Sequence, residues 1–152
     1  MTGVYQHSLD AKGRLFIPAS LRETLGQSFF VTVSPEQCLS GYPMEKWNRL
    51  KEKYEAMSYK DRKKIRSVFS HAAKCDLDAQ GRILLPMQLR EFAGLKKNVA
   101  VVGVGVNIEI WDAEKKYNPE FIGYAWDDKN PRIQLEPRGE RGYIELVPVK
   151  KI

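Results

Sequence analysis

The chain has 152 residues, enough for one domain or for two small halves that share a core. Its 25 Lys and Arg against 19 Asp and Glu leave a net charge of +6, an excess that suits a polyanionic partner without requiring one. No apolar run approaches the roughly 18 residues of a membrane span, and no charged stretch with an apolar segment opens the chain. Cys38 and Cys75 stand alone, without a C-x-x-C or ligand-spaced histidines, so buried thiols are expected rather than a metal site or a disulfide framework.

Gly3 to Leu9 alternates as a strand, and Asp10-Ala11-Lys12-Gly13 has turn composition, with Gly13 free to take positive φ. Arg14 to Ile17 resumes as a strand stopped by Pro18, so the motif is expected to open as a hairpin. Ser20 to Leu25 follows as a short helix with Leu21 and Leu25 on one face and Gly26 ending it. Phe29 to Val33 and Cys38 to Tyr42 are two further strands, the first compact and apolar.

Pro43 suits the first turn of a helix that sets Trp47, Leu50, Tyr54 and Met57 on one face. A second helix is predicted from Ser58, with Asp61 completing a capping pair and Ile65, Val68, Phe69 and Ala72 turned inward. Its other face carries Lys60, Arg62, Lys63, Lys64 and Arg66, which reads either as a solvated surface or as an auxiliary phosphate contact.

Then the chain repeats itself. "SLDAKGRLFIPASLRETLG" at Ser8 to Gly26 returns as "DLDAQGRILLPMQLREFAG" at Asp76 to Gly94, with a constant offset of 68 residues and no gap. Leu89, Phe92 and Ala93 take the inward helix face and Gly94 the cap, while Val99 to Val102 and Asn107 to Trp111 repeat the two strands. "GVGVN" at Gly103 to Asn107 is the bend between them. These features divide the chain into a first repeat over 1–50, connecting helices over 43–72, a second repeat over 73–116 and a divergent extension over 117–152. In that extension Arg132 to Glu136 and Tyr143 to Val147 alternate around "PRGERG", a hairpin without counterpart in the first half.

The repeated turn supports two readings. As architecture, Asp10 and Asp78 accept backbone N–H bonds and pair with Arg14 and Arg82, while Gly13 and Gly81 make the bend. As a recognition device, Lys12 and Gln80 at the tips donate to phosphates or base edges, and Arg14 and Arg82 offer bidentate forks. Two such loops related by a pseudo-two-fold would present equivalent donors to a DNA duplex. Enzyme signatures are missing: the sequence has no G-x-x-x-x-G-K-[ST], no G-x-S-x-G and no H-E-x-x-H, and His7 and His71 occupy non-equivalent places. An enzyme is therefore not expected, and no cofactor is implied.

With Pro and Leu-Arg following each Asp-x-x-Gly-Arg motif, "HSLDAKGRLFIPASLRETLG", "CLSGYPMEKW", "CDLDAQGRILLPMQLREFAGL" and "VGVGVNIEIWD" resemble, in order, stretches of the MraZ family. These are the tandem-repeat members of the AbrB/SpoVT swapped-hairpin superfamily, and the resemblance covers roughly 1–116. It implies an α+β fold of two pseudo-symmetric swapped-hairpin half-repeats forming one barrel-like unit, joined by amphipathic helices. It also implies a cytoplasmic, nucleoid-associated transcription regulator, typically a repressor of its own division and cell-wall gene cluster. Such a protein binds repeated short boxes on double-stranded DNA and assembles as a homo-oligomeric ring. Carried over, Arg14 and Arg82 with Lys12 and Gln80 are the DNA-contacting residues, and Asp10, Asp78, Gly13 and Gly81 orient the loops. Arg22 and Arg90 either pair with Glu23, Glu91 or the aspartates, or assist DNA contact. The alternative is a protein-binding ring or antitoxin-like module. The extension beyond Lys116 departs from the family pattern.

Overall fold

In the computed structural model, which describes residues 1–114 and the backbone of two later strands, fourteen elements follow one another. The first repeat supplies β1 (Thr2–Ser8), β2 (Arg14–Phe16), α1 (Ala19–Leu25), β3 (Ser28–Val33) and β4 (Leu39–Pro43). Two helices follow, α2 (Met44–Ala56) and α3 (Tyr59–Ser70). The second repeat supplies β5 (Ala73–Asp76), β6 (Arg82–Leu84), α4 (Met87–Phe92), β7 (Asn98–Val104) and β8 (Ile108–Asp112). The late strands β9 (Ile133–Arg138) and β10 (Tyr143–Pro148) pair antiparallel with each other, as expected of the hairpin around "PRGERG". Asn118-Pro119 and Asn130-Pro131, whose composition breaks the chain ahead of these strands, lie outside the described residues.

The class is α+β. A six-stranded antiparallel sheet has the order β1-β7-β8-β4-β3-β5, and a separate two-stranded ribbon joins β2 to β6. Each repeat thus lends an edge strand to the other: β1 pairs with β7 from Thr2↔Val104 to Ser8↔Asn98, and β5 pairs with β3 from Ser28↔Asp76 to Val31↔Ala73. This overturns the expectation that the strands flanking each turn form a hairpin, because β1 and β2 part company after the turn. The sheet also stays open, with β1 and β5 at its edges, so the expected barrel-like closure is not reached. The exchange satisfies β7 and β3, whose buried apolar backbones need a ladder partner on both sides.

Period-two alternation divides the sheet into two faces. Phe29, Val31, Val33, Val99, Val101, Ile108 and Ile110 face a single core that also takes Leu15, Leu21 and Leu25 of one repeat and Ile83, Leu85, Leu89 and Ala93 of the other. Both halves therefore share one interior. Phe92 is an exception to the predicted helix face: it is 42% exposed, while Leu89 and the C-cap residue Ala93 reach the core. On the opposite face Phe30 stacks on Trp47 of α2 at 4.8 Å, and Trp47 packs against Phe69 of α3 at 5.0 Å. The Thr32 hydroxyl donates to the Val68 carbonyl on that same side.

The connecting helices begin and end where their chemistry dictates. Ser58 caps α3 by accepting the Asp61 N–H at 3.3 Å, as the capping pair predicts. Met57 is not on the buried face of α2, because the helix stops at Ala56 and Met57 turns extended toward solvent. Ile65, Val68, Phe69 and Ala72 are only half-buried, so α3 rests on the sheet without being enclosed.

Candidate functional site

The ribbon is the place where the two copies of the motif meet. Leu15 lies opposite Ile83, Arg14 opposite Leu84 and Phe16 opposite Arg82. The Ile17 N–H donates to the Gly81 carbonyl at 2.9 Å and the Leu85 N–H to the Gly13 carbonyl at 3.0 Å, extending the ladder equally at both ends. Since each of these residues has its counterpart 68 positions away, a pseudo-two-fold passes through the Leu15–Ile83 pair. Alternation buries Leu15 and Ile83 against the sheet and turns Arg14, Phe16, Arg82 and Leu84 outward. The two buried side chains, each worth roughly 1.5–3 kcal/mol, tie the ribbon to the core.

The turns that feed the ribbon have the same hydrogen bonds. Asp10 Oδ1 accepts the backbone N–H of Lys12 at 3.0 Å and of Arg14 at 2.9 Å, and its Oδ2 accepts Arg14 Nε at 2.5 Å. Asp78 accepts Gln80 N–H and Arg82 N–H at 2.9 Å each, and Arg82 Nε at 3.0 Å. The backbone N–H of the arginine, with smaller help from its guanidinium, holds each carboxyl below the ordinary aspartate value of 3.8. Gly13 and Gly81 close the turns at φ 85° and 78°, a region that other residues enter at a cost.

The turns also converge. Arg82 Nη1 of the second repeat lies 3.8 Å from Asp10 Oδ2, the oxygen that holds Arg14 of the first. Two guanidiniums therefore share one carboxylate, and the turns make one contiguous cationic head rather than two separated half-sites. The aspartates occupy the Nε edges, and no hydrogen bond among the described residues engages the Nη atoms of Arg14 or Arg82, so each partly exposed guanidinium keeps a fork of terminal nitrogens without a hydrogen-bond partner there. That fork matches paired acceptors on a base edge or a phosphate. Lys12 and Gln80 are exposed at the two tips.

Arg22 and Arg90 do not pair with Glu23, Glu91 or the aspartates, which corrects one of the two expectations for them. Instead each lies across the turn of the other repeat. A Cβ at Gly13 would come within 2.6 Å of Arg90 Cζ, and one at Gly81 within 2.9 Å of Arg22 Cζ. Arg90 Nε donates to the Leu85 carbonyl at 3.0 Å, while the Arg22 guanidinium sits over the Phe16 ring at 5.2 Å. The glycine of each motif is thus required twice, for its φ and for the arginine packed upon it.

The basic residues of α3 are not brought to this head. Lys60, Lys63, Lys64 and Arg66 are exposed, but α3 packs through Val68 on the sheet face opposite the ribbon. Cys38 and Cys75 are buried free thiols. One cluster had no signal in residue spacing: strand pairing of β4 with β8 brings the ligand atoms of Glu36, Cys38 and Glu109 within 4.8 Å of one another. Burial raises both carboxyls above the ordinary glutamate value and pushes the Cys38 thiol up, and the Trp111 indole N–H donates to Glu109 at 3.1 Å. No helix among the described residues is long and apolar enough to cross a membrane.

Comparison with known proteins places this arrangement. The family described as "MraZ protein, putative antitoxin-like" matches over residues 1–66 and again over 68–118, in step with the internal repeat. A protein of Heliobacterium modesticaldum named "Transcriptional regulator MraZ" is 49% identical over 121 residues, covering 76% of this chain and 85% of the relative. Relatives of the same name from Acetivibrio thermocellus and Syntrophomonas wolfei are 45% identical over 116 residues and 41% identical over 135 residues. Those alignments cover 74% and 87% of this chain, and 81% and 87% of the relatives. On the doubled family match and these relatives, the chain belongs to the MraZ family.

Proposed function

We propose that this chain is a sequence-specific DNA-binding transcription regulator. It acts as a repressor of the division and cell-wall gene cluster that encodes it, by binding repeated short boxes upstream of its own promoter. The observation that carries this reading is the convergence of Arg14 and Arg82 on Asp10, which sets two partly exposed guanidinium groups side by side on one pseudo-symmetric ribbon. A two-stranded ribbon fits the major groove, and arginine forks match guanine O6 and N7. The exchange of β1 and β5 between repeats supports the swapped-hairpin description of the two halves. The relatives' name, Transcriptional regulator MraZ, supports regulation as the role. Lys12 and Gln80 flank the forks and add phosphate or base-edge donors, with the second tip one charge weaker.

A head this small reads only a short box. Tethering several heads in a homo-oligomeric ring raises the effective concentration for neighbouring boxes, so an array binds tightly where one box binds weakly. The protein then resides in the cytoplasm, on the nucleoid, and needs no cofactor.

Fluorescence anisotropy at fixed, near-physiological salt tests the reading. Duplex from the region upstream of the gene is compared with a shuffled duplex, for wild type and for the folded variant Arg14→Ala/Arg82→Ala. Tight binding of the native duplex that the variant loses is expected, with each arginine worth about 1–3 kcal/mol of discrimination. Equal, weak binding of both duplexes by wild type would instead turn attention to a protein partner.

A further inference from the structure

The outer face of the ribbon carries two apolar side chains beside its two arginines. Phe16 is directly across from Arg82, and Leu84 directly across from Arg14. The two positions are equivalent by the internal repeat, yet they are not equally available. Phe16 is closed on both sides, by His7 at 5.0 Å between ring centroids and by the Arg22 guanidinium over its face. In the second repeat the residue corresponding to His7 is Cys75, a small buried thiol, and the Arg90 Nε is turned onto the Leu85 carbonyl. Among the described residues no ring or guanidinium packs over Leu84, which is 59% exposed.

We propose that Leu84 is a specificity-determining residue that contacts the 5-methyl group of a thymine next to the base read by Arg14. This inference rests on the DNA-binding reading and deepens it. The argument is one of chemical matching. The major-groove edges offer donors, acceptors and a single apolar group, the thymine methyl. Directly opposed residues of an antiparallel pair hold their Cβ atoms about 4.5–5.5 Å apart on the same face. A guanidinium and an isobutyl group so placed present a polar and an apolar reader side by side, toward adjacent base edges. An exposed leucine contributes little to the fold, so its place directly across from Arg14 is accounted for by what it meets there. The covered Phe16 leaves the other half of the head with the arginine alone, so the head reads its box asymmetrically in spite of its pseudo-two-fold.

The experiment uses the shortest upstream duplex that wild type prefers over its shuffled form, with each thymine in turn replaced by deoxyuridine, which removes only the methyl. Wild type and Leu84→Ala are titrated against the whole series. One replacement should weaken wild type about fourfold, the worth of one buried methyl. It should leave Leu84→Ala unchanged, and Leu84→Ala should bind the unmodified duplex as wild type binds the replaced one. Leu84→Ala is expected to fold normally, which its thermal unfolding checks, and Leu84→Met provides a second variant that keeps the apolar contact and the methyl response. If every replacement affects wild type and Leu84→Ala alike, or affects neither, while wild type still prefers the native duplex, the role of Leu84 is overturned and the DNA-binding reading stands. If wild type shows no preference for any native duplex, both fail together.

Discussion

The Asp10 carboxylate of the first repeat reaches the Arg82 guanidinium of the second at 3.8 Å, while Asp78 holds Arg82 alone. The pseudo-symmetry is therefore broken at its centre: one aspartate serves two arginines and its counterpart serves one. Asp10→Asn should weaken binding of the native upstream duplex about tenfold, because the charge-assisted bond to Arg14 becomes a neutral one and the ion pair with Arg82 is lost. Asp78→Asn should cost less. Anisotropy titrations of the two variants side by side check the order, and a larger loss for Asp78→Asn would contradict it.

The glycine of the turn should tolerate no side chain. Gly13→Ala forces a φ of 85° on a residue with a Cβ and drives that Cβ into the Arg90 guanidinium. Gly94 also has positive φ, 60°, but a Cβ there meets nothing within 4 Å. Gly94→Ala is expected to cost about 1 kcal/mol from backbone conformation alone, and Gly13→Ala more than that. Urea unfolding of both variants measures the difference.

The Ser58 cap is a separable contribution to the link between the repeats. Ser58→Ala removes the acceptor of the Asp61 N–H at the start of α3 and should lower unfolding free energy by about 1 kcal/mol. Because α3 lies on the sheet face away from the ribbon, duplex affinity of the folded variant should stay at the wild-type level. A loss of affinity at unchanged stability would place α3 in the interface after all.

Burial raises the Glu109 carboxyl above its ordinary value of 4.5, so ionising it costs more in the folded protein than in the unfolded chain. The corresponding contribution to stability is fully present below 4.5 and is lost as pH rises through the raised folded value. Glu109→Gln keeps an acceptor for the Trp111 indole and removes the buried charge, so it should stabilise the fold at neutral pH and flatten the stability profile above 4.5. Thermal unfolding of wild type and variant from pH 4 to pH 8 tests the sign.

Much of the site was legible in residue order because its bonds are local. Asp10 reaches Lys12 and Arg14 within its own turn, and Asp78 does the same with Gln80 and Arg82, so composition at that spacing suffices to read the loops. Arg22 and Arg90 escape local pattern for the converse reason. Glu23 and Glu91 are their sequence neighbours, but each arginine is turned across the opposite repeat, which no local pattern reveals. Phe92 shows a limit of periodicity: helical spacing puts it with Leu89 and Ala93, yet those two are buried and Phe92 is 42% exposed.

By itself the sequence determined the class, the tandem repeat, the turn chemistry and most element positions, because all of these rest on interactions within a few residues or on identity between two copies. Tertiary structure decided the partners. The alternation of β1 is compatible with pairing to β2 or to β7, and the turn between β1 and β2 is the same in either case, so register with a strand some ninety residues away is invisible to local pattern. Only once β2 had paired with β6, and both repeats had packed on one sheet, did Arg14, Arg82 and Asp10 meet at a single point. The free energy that selects this pairing is the burial of Leu15, Ile83 and their neighbours in a core that neither half possesses alone.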